Sequence, residues 1–202
     1  AQRIRDLAAE KELPLVSFCE DVAASGGYWL ACAGDEIFAD ANSIVGSIGV
    51  ISAGFGFPDL IERFGIERRV YATGQRKGML DPFQDEKSED VDRLHELHED
   101  IFENFKTHVR DRRGDRLKAA EDTLFTGDIW TGNQALEVGL IDGLAEMRSE
   151  MRRRYGDKVK FQRAEVRRGL LSRLRGGGMS AIDPAELVSA LDDWALWKRY
   201  GL

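Results

Sequence analysis

Two hydroxyls and one amine stand out because glycines flank them. Ser25 is followed by Gly26 and Gly27 and then by the apolar run Tyr28 to Ala33. Set between a strand and a buried helix, that serine sits at a sharp turn with its hydroxyl exposed. The first N–H groups of a helix have no partner within it, so they face any oxyanion formed at such a turn. Gly26 and Gly27 carry no side chain to block an approaching carbonyl. The same pattern equally suits a serine that only caps the helix, with glycines there for close packing. Ser47 lies in a second glycine-lined bend, Gly46-Ser47-Ile48-Gly49-Val50, and taken alone is a turn serine. Lys77 lies in the loop Gly74-Gln75-Arg76-Lys77-Gly78-Met79-Leu80, where a solvated lysine and a catalytic one are both admissible.

A nucleophilic serine needs a base. The three histidines, His95, His98 and His108, share one highly charged stretch and read as solvated helix residues. None falls between Ser25 and Arg76, so a Ser-His-Asp triad is disfavoured. A lysine can take the proton only when neutral, which burial or a neighbouring cation favours. Lys77 has Arg76 beside it and Met79 and Leu80 close by to exclude water. No group of His, Cys and carboxylates has zinc-ligand spacing, so metal hydrolysis is disfavoured, and a serine working with its own base needs no cofactor. Cys19 and Cys32 are too few for a disulfide framework and read as small buried hydrophobes.

These residues need a scaffold of strands and helices. The apolar run Leu13 to Phe18 reads as a strand buried on both faces, and the run after Ser25 as a buried helix stopped near Gly34. Glu36 to Ala39 is a short strand, Phe57 to Phe64 a short helix, and Ile66 to Ala72 a strand built on Val70 and Tyr71. Val91, Leu94, Leu97, Ile101, Phe105 and Val109 follow helical steps, predicting one long helix from Asp85 to Arg113. Arg116 to Asp122 reads as a short polar helix. Thr131 and Gln134 form a capping box for a helix ending at Gly139. Leu140 to Asp142 is a strand, Leu144 to Tyr155 a helix, and Lys158 to Phe161 an edge strand. Alternating strands and helices predict an α/β fold.

The 202 residues suit one domain with a tail. The expected division is a main domain over 1–162, a basic and glycine-rich link over 163–182, and an amphipathic helix over 183–202. A net charge of −7 argues against nucleic acid as a partner, and no apolar run is long enough to span a membrane. The first residue is Ala1, and the opening helix feeds straight into a buried strand. The expectation is therefore that an N-terminal portion of the fold lies upstream.

Taken together and in order, these segments resemble one family. Asp21-Val22-Ala23-Ala24-Ser25-Gly26-Gly27-Tyr28-Trp29-Leu30-Ala31 is similar to the nucleophile motif of the bacterial signal peptide peptidase A family, with its SohB-type members. Ile44 to Val50 is similar to that family's next block, and Gly74 to Lys77, closed by Asp81-Pro82-Phe83, to its lysine loop. Phe125-Thr126-Gly127, Trp130 to Ala135 and Gly139 to Asp142 are similar to its closing block. The resemblance covers about residues 1–150.

It implies a ClpP/crotonase-like fold of repeated β-β-α units and a serine endopeptidase working by a Ser-Lys dyad. Carried over, Ser25 is the nucleophile, Lys77 the base, Ser47 the residue that orients the lysine, and the Gly26 N–H one oxyanion donor. Tyr28, Trp29 and Ile48 are candidates for an apolar substrate pocket. The implied substrates are apolar peptides such as remnant signal peptides, held extended. The implied partner is the chain itself, in a homo-oligomeric ring. In some members the serine and lysine meet across a subunit boundary. The implied location is the bacterial cell membrane, with a soluble catalytic domain and membrane contact through a segment absent here. Two features depart from the family pattern: the turn that supplies its second oxyanion donor and its N-terminal anchor do not occur in these 202 residues. A non-catalytic scaffold of the same fold and a crotonase-type acyl-CoA enzyme are the rival readings.

Overall fold

The computed structural model describes residues 1–74 and 76–164. The chain opens with α1 (Gln2–Glu10), β1 (Val16–Cys19), β2 (Val22–Ala24), α2 (Gly26–Ala31), β3 (Glu36–Ala39) and β4 (Ile44–Gly46). It continues through α3 (Pro58–Arg63) and the long α4 (Ser88–Arg113) into a 3-10 turn, Gly114–Arg116. Then come α5 (Glu121–Leu124), β5 (Ile129–Thr131), α6 (Gly132–Val138), β6 (Gly143–Leu144) and α7 (Met147–Tyr155). The architecture is mixed α/β, as the alternation of patterns predicts.

The strands form two small sheets. β3 lies between β1 and β6, all parallel. β4 lies between β2, parallel, and β5, antiparallel. The first four strands therefore alternate between sheets: β1 and β3 in one, β2 and β4 in the other. Parallel neighbours cannot be joined by a tight turn, so a crossover is required, and α2 provides it for both pairs.

Residues 1–159 form one compact unit; 160–202 form a second, of which 160–164 are described. The core of the first unit is built around Tyr28, Ile37, Val45, Ile48, Val109 and Leu140, all essentially inaccessible. Each such side chain contributes roughly 1.5–3 kcal/mol of burial. The Tyr28 hydroxyl donates to Leu140 O at 2.8 Å, which satisfies a polar group that would otherwise be costly to bury. Cys19 and Cys32 are free thiols in this core, as expected of small hydrophobes. Burial pushes their pKa values up, to about 11 and about 12.

α4 spans about 39 Å at 1.5 Å per residue. Only its second half meets the core, through Phe105, Val109 and Arg113. The buried Arg113 guanidinium grips both oxygens of Asp142, at 2.7 and 3.0 Å, and also donates to Gly139 O. Asp142 accepts the Ile37 N–H as well, tying α4 to β3. The capping box is present: Thr131 N donates to Gln134 Oε1, Gln134 N donates to Thr131 Oγ1, and Gly139 ends α6 at φ 82°.

Several expectations are corrected. β1 starts at Val16, with Leu13 exposed; as the edge of its sheet it is only partly covered. Residues 66–72 form no strand, and Ile66, Val70 and Tyr71 stay exposed. A β-former realises its preference only against a neighbouring strand, and none reaches this segment. Residues 116–122 split into the 3-10 turn and α5, and residues 158–161 form no strand. Leu140 and Ile141 are core residues rather than strand, with β6 following them. The expected link and C-terminal helix lie outside the described residues, apart from 163 and 164.

Candidate active site

Ser25 leaves β2 and enters α2 with φ 51° and ψ −120°. Only glycine adopts this region freely, so a serine here is held under strain. Two main-chain bonds hold it: its N–H donates to Gly46 O at 2.8 Å, and its carbonyl accepts from Trp29 N at 3.0 Å. The residue is exposed, and its hydroxyl makes no capping hydrogen bond to the helix. The capping reading of Ser25 is thereby set aside, because it occupies the cap position without capping. Gly26 and Gly27 are exposed too, and a Cβ on either would meet nothing within 4 Å. Packing therefore does not demand glycine there, and the space in front of the turn is open.

Ser47 is the counterpart on the next strand. Ala24 pairs with Gly46 in the parallel register, so Ser25 and Ser47 leave adjacent strands at the same level. Ser47 also has a positive φ, 50°. Its N–H donates to Asp128 O at 2.7 Å. Gly46 before it is required: its φ is 101°, and a Cβ there would lie 2.7 Å from Trp130 Cδ1. Trp130 and Asp128 thus support the bend that carries Ser47. A tryptophan under a glycine and a carbonyl acceptor leave no pattern in sequence.

Lys77 lies in the exposed turn at 76–80, its N–H donating to Gly74 O at 3.1 Å. Among the described residues no hydrogen bond joins its amine to Ser25 or Ser47. The shielding expected of Met79 and Leu80 is incomplete, since both are half-buried while Lys77 is exposed. The segments on either side of α3 hold no helix or strand over 51–57, 64–74 and 76–87, and Ile51, Phe55, Phe64 and Tyr71 of these segments are exposed.

The expected apolar pocket does not fit its residues. Tyr28 and Ile48 are closed inside the core. Trp29 packs against Phe105 and stacks on His108, with ring centroids 4.4 Å apart and planes 11° apart. Tyr28 and Trp29 sit on the core side of α2 because a short helix must bury one flank. The histidines also differ from expectation. His108 is half-buried and bonded to Trp29 O at 3.0 Å, and His98 is bonded to Ser52 Oγ at 2.6 Å; only His95 is fully solvated. Neither His98 nor His108 is bonded to Ser25.

Two grooves, of about 1020 and 540 Å³, run along α3 and residues 80–87, the larger reaching Val91 and Leu94 of α4. Neither includes Ser25, Ser47 or Lys77. No group of three or more metal-ligating side chains exists among the described residues. None of their helices is long and apolar enough to cross a membrane.

Compared with known proteins, this α/β domain with an exposed serine at a strained turn falls among the peptidases. The chain belongs to peptidase family S49, which matches residues 8–158. A Brucella abortus (strain 2308) protein named Na(+)/H(+) antiporter NhaA is 51% identical over 212 aligned residues, covering 100% of this chain and 29% of that protein. An Enterococcus faecium protein named for signal peptide peptidase SppA is 33% identical over 144 residues, covering 70% of this chain and 42% of that one. Serine protease SPPA, chloroplastic, of Arabidopsis thaliana is 30% identical over 147 residues, covering 71% and 21%. The chain spans less than half the length of each of these relatives.

Proposed function

We propose that this chain carries the chemistry of a serine endopeptidase, with Ser25 as nucleophile and Lys77 as base. The observation that carries the reading is the exposed, non-capping Ser25 hydroxyl on strained backbone in front of open glycine N–H groups. The Ser25 oxygen attacks the scissile carbonyl carbon, and its proton passes to the neutral Lys77 amine. The Gly26 N–H donates to the oxyanion as charge develops on it. The C–N bond then breaks, the proton moves from Lys77 to the leaving amine, and water releases the acyl group from Ser25. Ser47, on the adjoining strand, orients the lysine. The order β1-β2-α2 followed by β3-β4, one strand to each sheet, supports a ClpP/crotonase-like fold of repeated β-β-α units.

The exposed Lys77, and exposed apolar residues in the same irregular segments of the chain, support completion of the dyad in a homo-oligomeric ring. A second copy covering Ile51, Phe55 and Tyr71 would also exclude water from the amine. The substrates are apolar peptides such as remnant signal peptides, and the enzyme works at a bacterial membrane through a segment outside these residues. The antiporter activity named for the Brucella relatives is not carried over, since the shared stretch contains the family S49 match.

The test is reaction with a fluorophosphonate probe, with the labelled peptide identified by mass spectrometry. Labelling at Ser25 that disappears in Ser25→Ala, together with loss of apolar-peptide hydrolysis, is the expected result. A protein that assembles but neither labels nor hydrolyses would be a scaffold instead.

A further inference from the structure

The two ends of α2 are treated in opposite ways. At the N-terminal end, no main-chain hydrogen bond takes the N–H of Gly26 or Gly27 among the described residues. At the C-terminal end every carbonyl from Trp29 to Gly34 is taken. Leu30 O accepts from Ala33 N, and Ala31 O accepts from Gly34 N and the Ser17 hydroxyl. Arg5 donates to Ala33 O at 2.7 Å. Arg112 donates to both Cys32 O and Gly34 O, at 2.8 and 2.9 Å. Trp29 O has no main-chain donor from Ala33, which turns to Leu30, and it is met by His108 Nε2 at 3.0 Å.

His108 and Arg112 are four residues apart on α4, so they lie on one face one turn apart. Both reach α2 in a core-facing region, and the imidazole is stacked flat on the Trp29 indole. The acceptor is a carbonyl, so Nε2 of His108 carries the proton. Trp29 in turn donates its N–H to the carbonyl of Ser25. A continuous path of two bonds and one residue therefore connects His108 to the strained serine. A helix of six residues has too few internal bonds to hold its own axial position.

We propose that His108 is a positioning residue, which with Arg112 clamps the C-terminal end of α2 and thereby fixes the placement of Ser25 and the Gly26 N–H. This rests on the nucleophile reading above. The donor, not the ring, does the positioning. A catalytic group displaced by about 1 Å loses rate steeply, up to ~10²-fold, while ground-state binding is little changed.

The test compares His108→Phe, which keeps a flat ring and lacks the donor, with His108→Gln, which keeps an N–H donor and lacks the ring. Two quantities are measured: the rate of Ser25 phosphonylation, and kcat and KM for an apolar peptide. The expected result is a fall of about tenfold in labelling rate and kcat for His108→Phe with KM held, and recovery of most of the rate in His108→Gln. Wild-type rates in a folded His108→Phe would overturn the proposal. If that variant does not fold, a tenfold slower His108→Gln overturns it. A wild-type protein that does not label at Ser25 removes the nucleophile reading, and the positioning role with it.

Discussion

Ser25 and Ser47 leave two hydrogen-bonded parallel strands one position beyond the paired Ala24 and Gly46, each with a positive φ, 51° and 50°. Two non-glycine residues in this conformation on adjacent strands are a concentrated store of strain. Such strain persists only where the surroundings over-determine it, and here the Gly46, Trp29 and Asp128 main-chain bonds do so. Both serines thereby stand at the same, C-terminal, end of the two strands.

Relief of that strain is measurable. Ser25→Gly removes the nucleophile and the conformational penalty together, so hydrolysis should stop while stability rises by ~1 kcal/mol. Ser25→Ala should stop hydrolysis without the gain, since alanine is no freer at this φ. Urea unfolding of the pair checks this; equal midpoints would mean that the turn is not strained.

Mixing variants tests where the dyad forms. If Ser25 of one copy works with Lys77 of another, inactive Ser25→Ala and inactive Lys77→Ala should recover activity when unfolded and refolded together. Random assembly leaves about a quarter of such junctions intact. A mixture as dead as its parts places the dyad within one chain.

The buried Arg113 contributes through Asp142. Arg113→Met should cost ~3 kcal/mol, because it leaves a largely buried carboxylate without its main partner. Burial pushes the Asp142 carboxyl up, but the Arg113 bonds, the Ile37 N–H and Arg116 outweigh it and hold it below its ordinary 3.8. Its stabilising contribution is thus present above pH 3.8 and lost as pH falls through the lower folded value. In Arg113→Met this acid-sensitive portion should shrink, as measured by thermal midpoint against pH. An unaltered acid limb would assign the sensitivity elsewhere.

His108 gives a second pH signature. Its pKa lies below the ordinary 6.5, first through burial and then through Arg112, against the upward pull of the Trp29 carbonyl. The unfolded chain therefore binds the proton first as pH falls. The contribution is complete above pH 6.5 and is lost as pH drops through the folded value. His108→Gln should flatten stability over that window. Identical slopes in variant and parent would show that the imidazole titrates as if solvated.

Legibility in sequence followed periodicity and turn chemistry. The capping box of Thr131 and Gln134, the stop at Gly139 and the long α4 were plain, because local geometry decides them. The glycine pattern after Ser25 points to an exposed turn, and the structure adds that the Ser25 hydroxyl makes no capping bond to the helix. Residues 66–72 misled, because Val70 and Tyr71 report β preference and not the presence of a partner strand. Tyr28 and Ile48 misled for a related reason: a motif gives position along the chain, while the flank a side chain takes depends on what packs there. The support of α2 by Arg5, Ser17, His108 and Arg112 left no local trace. It is assembled from three separate parts of the chain, α1, β1 and α4, and each residue alone is ordinary.

The two thiols give the domain a built-in gauge. Cys19 and Cys32 are the only cysteines of the chain, both enclosed and both held in the unreactive protonated form at neutral pH. A thiol reagent can therefore gain entry only when the interior opens. With reagent concentrated enough to outpace reclosing, the speed of modification in the native protein then reads the frequency of that opening, with no label to install and no residue to replace.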